Sequence, residues 1–318
     1  MLVSIVIPLY NKAKFIAEAV ESIRAQTHSS WEIVIVDDGS TDDGAAIVAA
    51  MADPRIILER QPNGGVSRAR NRGIDLASGE IVCFLDADDW YGPYYLETLV
   101  RMATSYPAMQ YFATGYRRLY PHQHVDWSAR PPQALECELI DNFFERRRLD
   151  GHIVCTNAVA VRRAALLPLQ PCFPPGESHG EDQDLWFRLA ERYPLCYCPW
   201  PLVAYRMEVE GSLMTRQPNS TLVPMLCRLE QRALQGVLTG PARQSALRLV
   251  AEARVNVSRG MLQEGRRKDA IVELWRARRA RSRRWCMAAF MALVFSPAMI
   301  NRWAEWRRLN SPELRADS

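Results

Sequence analysis

The chain has 318 residues, of which 48% are apolar and 24% charged. These proportions are ordinary for a soluble globular protein, exclude wholesale disorder, and leave room for one large domain or one domain plus a smaller appendage. The net charge of +4 conceals an asymmetry, because residues 241–318 hold 17 Lys and Arg against 7 Asp and Glu while the remainder holds 23 against 29. A C-terminal quarter so rich in arginine could face anionic lipid, nucleic acid or an acidic partner.

The first ninety residues alternate two kinds of hydrophobic pattern. Val3 to Leu9 reads as a strand, and no basic stretch or cleavage site precedes it. No secretory signal is therefore expected, and a cytoplasmic location is. A helix is expected from about Lys14 to Gln26, where Phe15, Ala19, Ile23 and Gln26 recur at helical spacing. Trp31 to Val36 is the next strand. Ala45 to Met51 is the next helix, with Ser40 or Thr41 as N-cap candidates. Arg55 to Leu58 reads as a short strand, Val66 to Ala77 as a helix and Ile81 to Leu85 as a buried strand. This alternation predicts βαβ units and a mainly parallel sheet. Ligands of such sheets bind beyond the carboxyl ends of the strands.

Residues 110–210 are less regular, with proline pairs at 131–132 and 174–175. They contain a predicted helix, Asp182 to Arg192, and a strand-like run from Leu195 to Arg206. From about Thr221 onward the pattern is helical. Val255 to Ala280 suggests a helical hairpin broken at Gly265, with Ile271, Leu274 and Trp275 on one face. Trp285 to Ile300 carries no charge and is flanked by Arg283-Arg284 and Arg302. It is too short and too interrupted by Pro297 for a spanning helix, which needs about 20 apolar residues. An interfacial helix, with Trp285, Trp303 and Trp306 at the headgroups, and a helix buried on the preceding hairpin are the two remaining readings. The eight cysteines show no zinc-type repeat and are expected to be reduced and mostly buried. Cys196 and Cys198 are expected on opposite faces of their strand.

Polar clusters follow the predicted strands. Pro8-Leu9-Tyr10-Asn11 follows the first, Asp37-Asp38-Gly39-Ser40-Thr41-Asp42 the second, and Asp86-Ala87-Asp88-Asp89 the strand at 81–85. An isolated Asp-x-Asp is most often a solvated turn. At a strand end it offers two hard oxygen ligands to Mg²⁺ or Mn²⁺, ions that take carboxylates together with substrate phosphates. Asn63-Gly64-Gly65 opens a helix carrying Arg68 and Arg70, and its free amides and arginines would suit a diphosphate. Only one of the two arginines can face a given side of that helix. Gly180-Glu181-Asp182 begins another helix, where acidic residues also suit the dipole. Its functional reading is a general base for an acceptor hydroxyl. His122 and His124 lie in a proline-flanked loop and read as solvated surface, and His179 adjoins the candidate base.

This ordered set resembles the family 2 glycosyltransferases over roughly residues 1–215. The matching pieces are Val3 to Asn11, Asp37-Asp38-Gly39-Ser40, Gly64 to Asn71, Asp86-Ala87-Asp88-Asp89 and Gly180-Glu181-Asp182. The resemblance implies an α/β GT-A nucleotide-diphospho-sugar transferase fold with a mainly parallel central sheet. Residues 1–110 would form its nucleotide-binding half and 111–215 its acceptor-binding half, with a basic helical C-terminal extension at 221–318. It further implies an inverting enzyme that uses Mn²⁺ or Mg²⁺ and moves one sugar from a nucleotide sugar donor, UDP-linked by expectation, to a glycan or glycolipid acceptor. Surface polysaccharide or lipopolysaccharide assembly is the role that analogy suggests. By the same resemblance Pro8, Tyr10 and Asn11 would line the nucleotide pocket, Asp38 would bond the base, and Arg70 or Arg68 would approach the nucleotide. Asp86 and Asp88 would flank ribose and metal, and Asp182 would be the base, with Glu181 the second candidate.

Two departures stand out. Where the family often places a metal-binding histidine after Tyr-Arg, Tyr205-Arg206-Met207 is followed by Glu208, which becomes the third candidate metal ligand. The Gln-x-x-Arg-Trp signature of processive synthases is missing, so single-sugar transfer fits better than polymerisation. A sugar-1-phosphate nucleotidyltransferase would open with a glycine-rich, arginine-containing loop, and a dehydrogenase with Gly-x-Gly-x-x-Gly; neither follows the first strand. A non-catalytic scaffold docking on membranes would not need the acidic clusters. Peripheral membrane contact through residues 281–308 is expected, at the inner face of the membrane, and no nucleic-acid partner is.

Overall fold

The computed structural model describes residues 1–207, 220–280, 282–295, 298–299 and 302. The chain divides into two compact units, Met1–Met214 and Thr215–Ser318.

The first unit is built on a mixed nine-stranded sheet among the described residues. Strands β1 (Val3–Leu9), β2 (Trp31–Asp37), β3 (Ile56–Arg60) and β4 (Ile81–Phe84) run parallel in the order β3-β2-β1-β4. The sheet continues through β8 (Val159–Arg162), which lies antiparallel between β4 and β6 (Tyr111–Leu119). Strand β9 (Leu195–Arg206) pairs parallel with β6 and antiparallel with β5 (Trp90–Tyr91) and β7 (Glu138–Ile140). The parallel character predicted from the N-terminal alternation thus belongs to β1–β4 and to the β6–β9 pair.

Strand β1 is buried on both faces, as its continuous apolar run requires. Ile5, Ile7 and Leu9 pack in one core with Ile16, Val20 and Ile23 of helix α1 (Ile16–Arg24) and Leu96, Leu99 and Met102 of α4 (Tyr95–Ser105). On the other face, α3 (Val66–Leu76) approaches so closely that a Cβ at Gly73 would stand 2.3 Å from Val6 Cγ1. Val34, Val36 and Ala69 cluster on that same side. Helix α2 (Gly44–Ala50) starts after Asp43, not after Ser40 or Thr41. Those two side chains are drawn into contacts with the loop after β1 instead.

Helix α7 (Glu181–Ala190) is fixed by aromatic packing. Trp186 stacks on Tyr111 at 5.9 Å and lies 5.9 Å from Phe84 and 6.4 Å from Phe173. Phe187 meets Phe143 and Phe144 of α5 (Phe143–Asp150). The short helix α6 (Arg163–Leu166) follows β8. Cys196 and Cys198 share one face of β9, correcting the expectation, because alternate strand residues point the same way. Both lie in the core and approach Cys137. All eight cysteines are free thiols, and four are buried.

The second unit is helical among its described residues, comprising α8 (Pro224–Leu234), α9 (Gly240–Gln263), α10 (Arg267–Arg276) and α11 (Arg283–Val294). The α9–α10 turn uses Gly265 at φ +79°, the break expected from sequence. The buried face of α10 is Ala270, Glu273 and Leu274, whereas Ile271 and Trp275 are exposed. Arg254 of α9 satisfies the buried Glu273 carboxylate at 2.5 Å and also pairs with Glu230, which draws the inward face one residue away from the apolar pattern. Helix α11 packs Ala288, Met291 and Ala292 into the same core as α9 and α10. Its other side leaves Met287, Phe290, Leu293 and Val294 exposed.

Candidate active site

The parallel register aligns Leu9 with Asp37 and Val6 with Phe84, so the polar clusters after β1, β2 and β4 emerge on one sheet edge. Asn11, at φ +52°, ties the first two together. Its amide donates to Ser40 Oγ at 3.1 Å, and its side-chain oxygen accepts from Thr41 N at 2.8 Å. Lys12 reaches from the same loop to Asp88 Oδ2 at 2.7 Å. Tyr10 stands half exposed beside it, while Pro8 is partly buried.

Asp38 is buried and engages the glycine turn with both oxygens. Oδ1 accepts from Gln61 Nε2 at 2.6 Å and Gly64 N at 2.9 Å, and Oδ2 accepts from Gly65 N at 2.7 Å. The amides expected to await a diphosphate are therefore already satisfied by an internal carboxylate. Asp38 thus holds the glycine turn in shape. Arg68 is exposed and folds back over Gly64, where a Cβ would meet its Cδ at 2.4 Å.

Arg70 turns inward. Its Nη2 donates to Asp86 Oδ1 at 2.7 Å and its Nη1 to Glu181 Oε1 at 2.7 Å, with the guanidinium 5.3 Å from the Phe173 ring. Burial opposes its charge, but the flanking Asp86 and Glu181 carboxylates more than offset burial and hold its pKa above the ordinary value. Around it Ser67 donates to Glu177 O at 2.6 Å, and Asn71 exchanges two bonds with the Phe173 backbone, at 2.7 and 2.9 Å. One arginine and its neighbours on α3 thereby seat the start of α7, about a hundred residues later, against the end of β4.

At that start Gly180 adopts φ +72°, a left-handed conformation that suits glycine. Burial pushes the Glu181 carboxyl above its ordinary value, with Arg70 opposing and Asp182 adding to the shift. Asp182 is less buried. Its Oδ2 accepts from Thr156 Oγ1 at 2.8 Å, and its Oδ1 accepts from Gln183 N at 2.7 Å. Nearby Arg147 Nη2 donates to His152 Nε2 at 2.7 Å, which requires that ring nitrogen to be unprotonated.

Several members of the site carry no sequence signature. Asn157, fully buried in the turn before β8, accepts from Asp86 N at 2.8 Å and donates to Asp89. Asp89 also accepts from Arg206 N at 2.6 Å. Burial, together with the Asp86 and Asp88 carboxylates, pushes Asp89 well above the ordinary carboxyl range. Its position as third aspartate of the motif was the one available hint. Thr156 and Asn157 lie in unremarkable stretches, and Lys12 just past the Pro8–Asn11 cluster.

The structure therefore brings Asp86, Glu181 and Asp182 into one neighbourhood, with Asp88 beside Asp86 and held by Lys12. Glu208 lies outside the described residues. Among the described residues no three His, Cys, Asp or Glu side chains form a metal-holding group. Asp86 and Asp88 each give one oxygen to a cationic side chain and retain a second. That donor set fits a hard divalent ion whose remaining ligands are phosphate and water, not an all-protein cage.

The sequence signature of "Glycosyl transferase family 2" matches residues 4–166. YibD of Escherichia coli K12, described as an uncharacterized glycosyltransferase, is 45% identical over 102 residues, covering 31% of this chain and 30% of that protein. Glycosyltransferase GlyG of Streptococcus pneumoniae serotype 4 is 43% identical over 101 residues, 31% of this chain and 34% of the relative. The matched stretch thus spans about a third of these relatives. The crystal structure of residues 1–349 of Staphylococcus aureus TarS with UDP-GlcNAc superposes with a TM-score of 0.66. It shares 19% identity and covers 90% of this chain and 83% of that one, a likeness of fold.

Proposed function

Because the chain belongs to glycosyl transferase family 2, we propose that it transfers one sugar, with inversion, from a UDP-linked donor to a hydroxyl of a glycan or glycolipid acceptor. The observation that carries this reading is the Arg70 bridge, which sets a carboxylate pair at the start of α7 beside the Asp-x-Asp turn. A uridine donor is supported by the UDP and UDP-GlcNAc held in the TarS structures.

In this reading Tyr10 offers an aromatic face to the base, with Pro8 and Asn11 beside it. The Lys12 ammonium, paired with Asp88 at 2.7 Å, would meet donor phosphate. Asp86 and Asp88 would hold Mn²⁺ or Mg²⁺, whose chemistry when bound is to neutralise charge on the departing diphosphate. Asp182 takes the proton of the acceptor hydroxyl as that oxygen bonds to the anomeric carbon and the carbon–diphosphate bond breaks. Glu181 is held by Arg70 and positions that guanidinium.

Two measurements test this. In a thermal-shift screen of uridine, guanosine and thymidine diphosphate sugars with Mn²⁺, a uridine sugar should stabilise the chain most. Folded protein that responds to no nucleotide sugar would sink the reading. Asp88→Ala should weaken Mn²⁺-dependent UDP binding by at least the roughly 10–100-fold typical of outer-shell changes at metal sites. An unchanged Mn²⁺ titration removes Asp88 from the cation site.

We also propose peripheral contact with the inner membrane face through residues 281–308. No helix among the described residues is long and apolar enough to cross a membrane. The outward Met287, Phe290, Leu293 and Val294 beside Arg283 and Arg284 support an interfacial position. Trp303 and Trp306 lie outside the described residues. Flotation with anionic vesicles should recover the protein, and equal recovery after Phe290→Ser with Leu293→Ser refutes the contact.

A further inference from the structure

The carboxylates at the strand ends leave a neighbouring cavity unexplained. A cleft of about 550 Å³ lies between the start of α1, strand β5 and the segment that follows β6. Four rings line it, those of Phe15, Trp90, Tyr120 and Trp127, together with His122 and His124. Arg206, also on its wall, has Phe15 and Trp90 ring centroids at 4.9 and 4.6 Å, and meets Glu18 at 2.6 Å. Its Nε donates to Asp88 O at 2.9 Å. One side chain thus belongs both to the cleft and to the Asp-x-Asp turn.

The segment after β6 is organised by its own contacts. Tyr120 and Gln123 exchange two hydrogen bonds, Tyr120 N to Gln123 Oε1 and Gln123 N to Tyr120 O, both at 3.0 Å. His122 between them sits at φ +72°, in the left-handed region. Arg130 pins the segment to Glu97 at 2.8 Å, and Arg101 holds Pro132 O at 2.8 Å. Trp127 rests on Gly92, where a Cβ would stand 2.7 Å from its ring.

This lining selects a class of ligand. Aromatic faces suit an amphipathic ring that presents C–H bonds on one side, and imidazole and amide groups suit hydroxyls at its edge. A lipid chain would set the His122 and His124 imidazoles against hydrocarbon, and a free phosphate would face Glu18. We propose that the cleft is a carbohydrate subsite that seats a saccharide ring of the acceptor glycan beside the reacting centre. The source of the ring rests on the glycosyltransferase reading; the carbohydrate specificity does not.

Saturation-transfer NMR on the full chain, with methyl glycosides of glucose, galactose, N-acetylglucosamine and rhamnose, tests it. At least one glycoside should receive magnetisation from the aromatic protons. Trp127→Ala with Tyr120→Ala should weaken that binding at least about tenfold, while the thermal shift given by UDP with Mn²⁺ stays as in the parent. Both side chains are partly exposed, so the fold should survive, and the retained UDP shift verifies it. No transfer to any glycoside, or equal transfer in the double variant, overturns the subsite. Saturating UDP-GlcNAc should leave the glycoside bound. Displacement would assign the ring to the donor and overturn the acceptor assignment. Glycoside binding without any response to UDP would instead sink the glycosyltransferase reading and leave the subsite standing.

Discussion

Asp182→Asn is expected to lower turnover by roughly 10²–10⁴-fold, the range a positioned general base contributes, with UDP affinity unchanged. The substitution is nearly isosteric. The amide oxygen can still accept from Thr156 Oγ1, which now lies at 2.8 Å, so the start of α7 keeps its anchor. What disappears is the ability to take a proton. Glu181 cannot substitute, because its carboxylate is committed to Arg70 at 2.7 Å and is almost fully buried. Initial rates of nucleoside diphosphate release, with UDP titrations in parallel, measure both quantities. A variant that keeps the parent rate, paired with an inactive Glu181→Gln, would move the base one residue back.

Arg70→Met should lower the melting temperature by roughly 6–20 °C. Removing one partner of a buried ion pair costs about 3–5 kcal/mol, and a domain of this size loses about 2–4 °C per kcal/mol. The substitution strands two carboxylates, Asp86 and Glu181, of which Glu181 is the more buried. Adding Glu181→Gln to Arg70→Met should recover part of the loss, because one uncompensated buried charge is then gone. Calorimetry on the three proteins decides the matter. Equal melting temperatures for parent and Arg70→Met would show that the bridge does not hold α7 in place. Arg70→Lys is expected to fall between them, since an ammonium cannot reproduce the two-pronged contact.

The N-terminal half was readable because each of its signals is local. Val3 to Leu9 and Ile81 to Phe84 are apolar runs that end in polar clusters, and parallel pairing then brings those clusters to one edge. The strand Leu195 to Arg206 was read to the residue. Long-range pairing was not readable. Nothing in the sequence announces that β8 would lie between β4 and β6, or that Asn157 in the preceding turn would meet both Asp86 and Asp89. The glycine turn misled for a related reason. Its amides look unfilled in the sequence, because the carboxylate that fills them, Asp38, lies some 26 residues earlier. In the helical unit, Ile271, Leu274 and Trp275 were expected on one face, but only Leu274 turns inward, beside the buried Arg254–Glu273 pair.

The position of β8 has a consequence for synthesis on the ribosome. One side of β4 is covered by β1 as soon as both exist, but the other stays open until Val159 to Arg162 have been made. At about 5–20 residues per second the intervening stretch of roughly 75 residues takes some 4–15 s to emerge. Throughout that interval the nascent chain offers a hydrophobic strand with unpaired amides and carbonyls, the surface on which neighbouring polypeptides recruit one another. A holdase would find its target there.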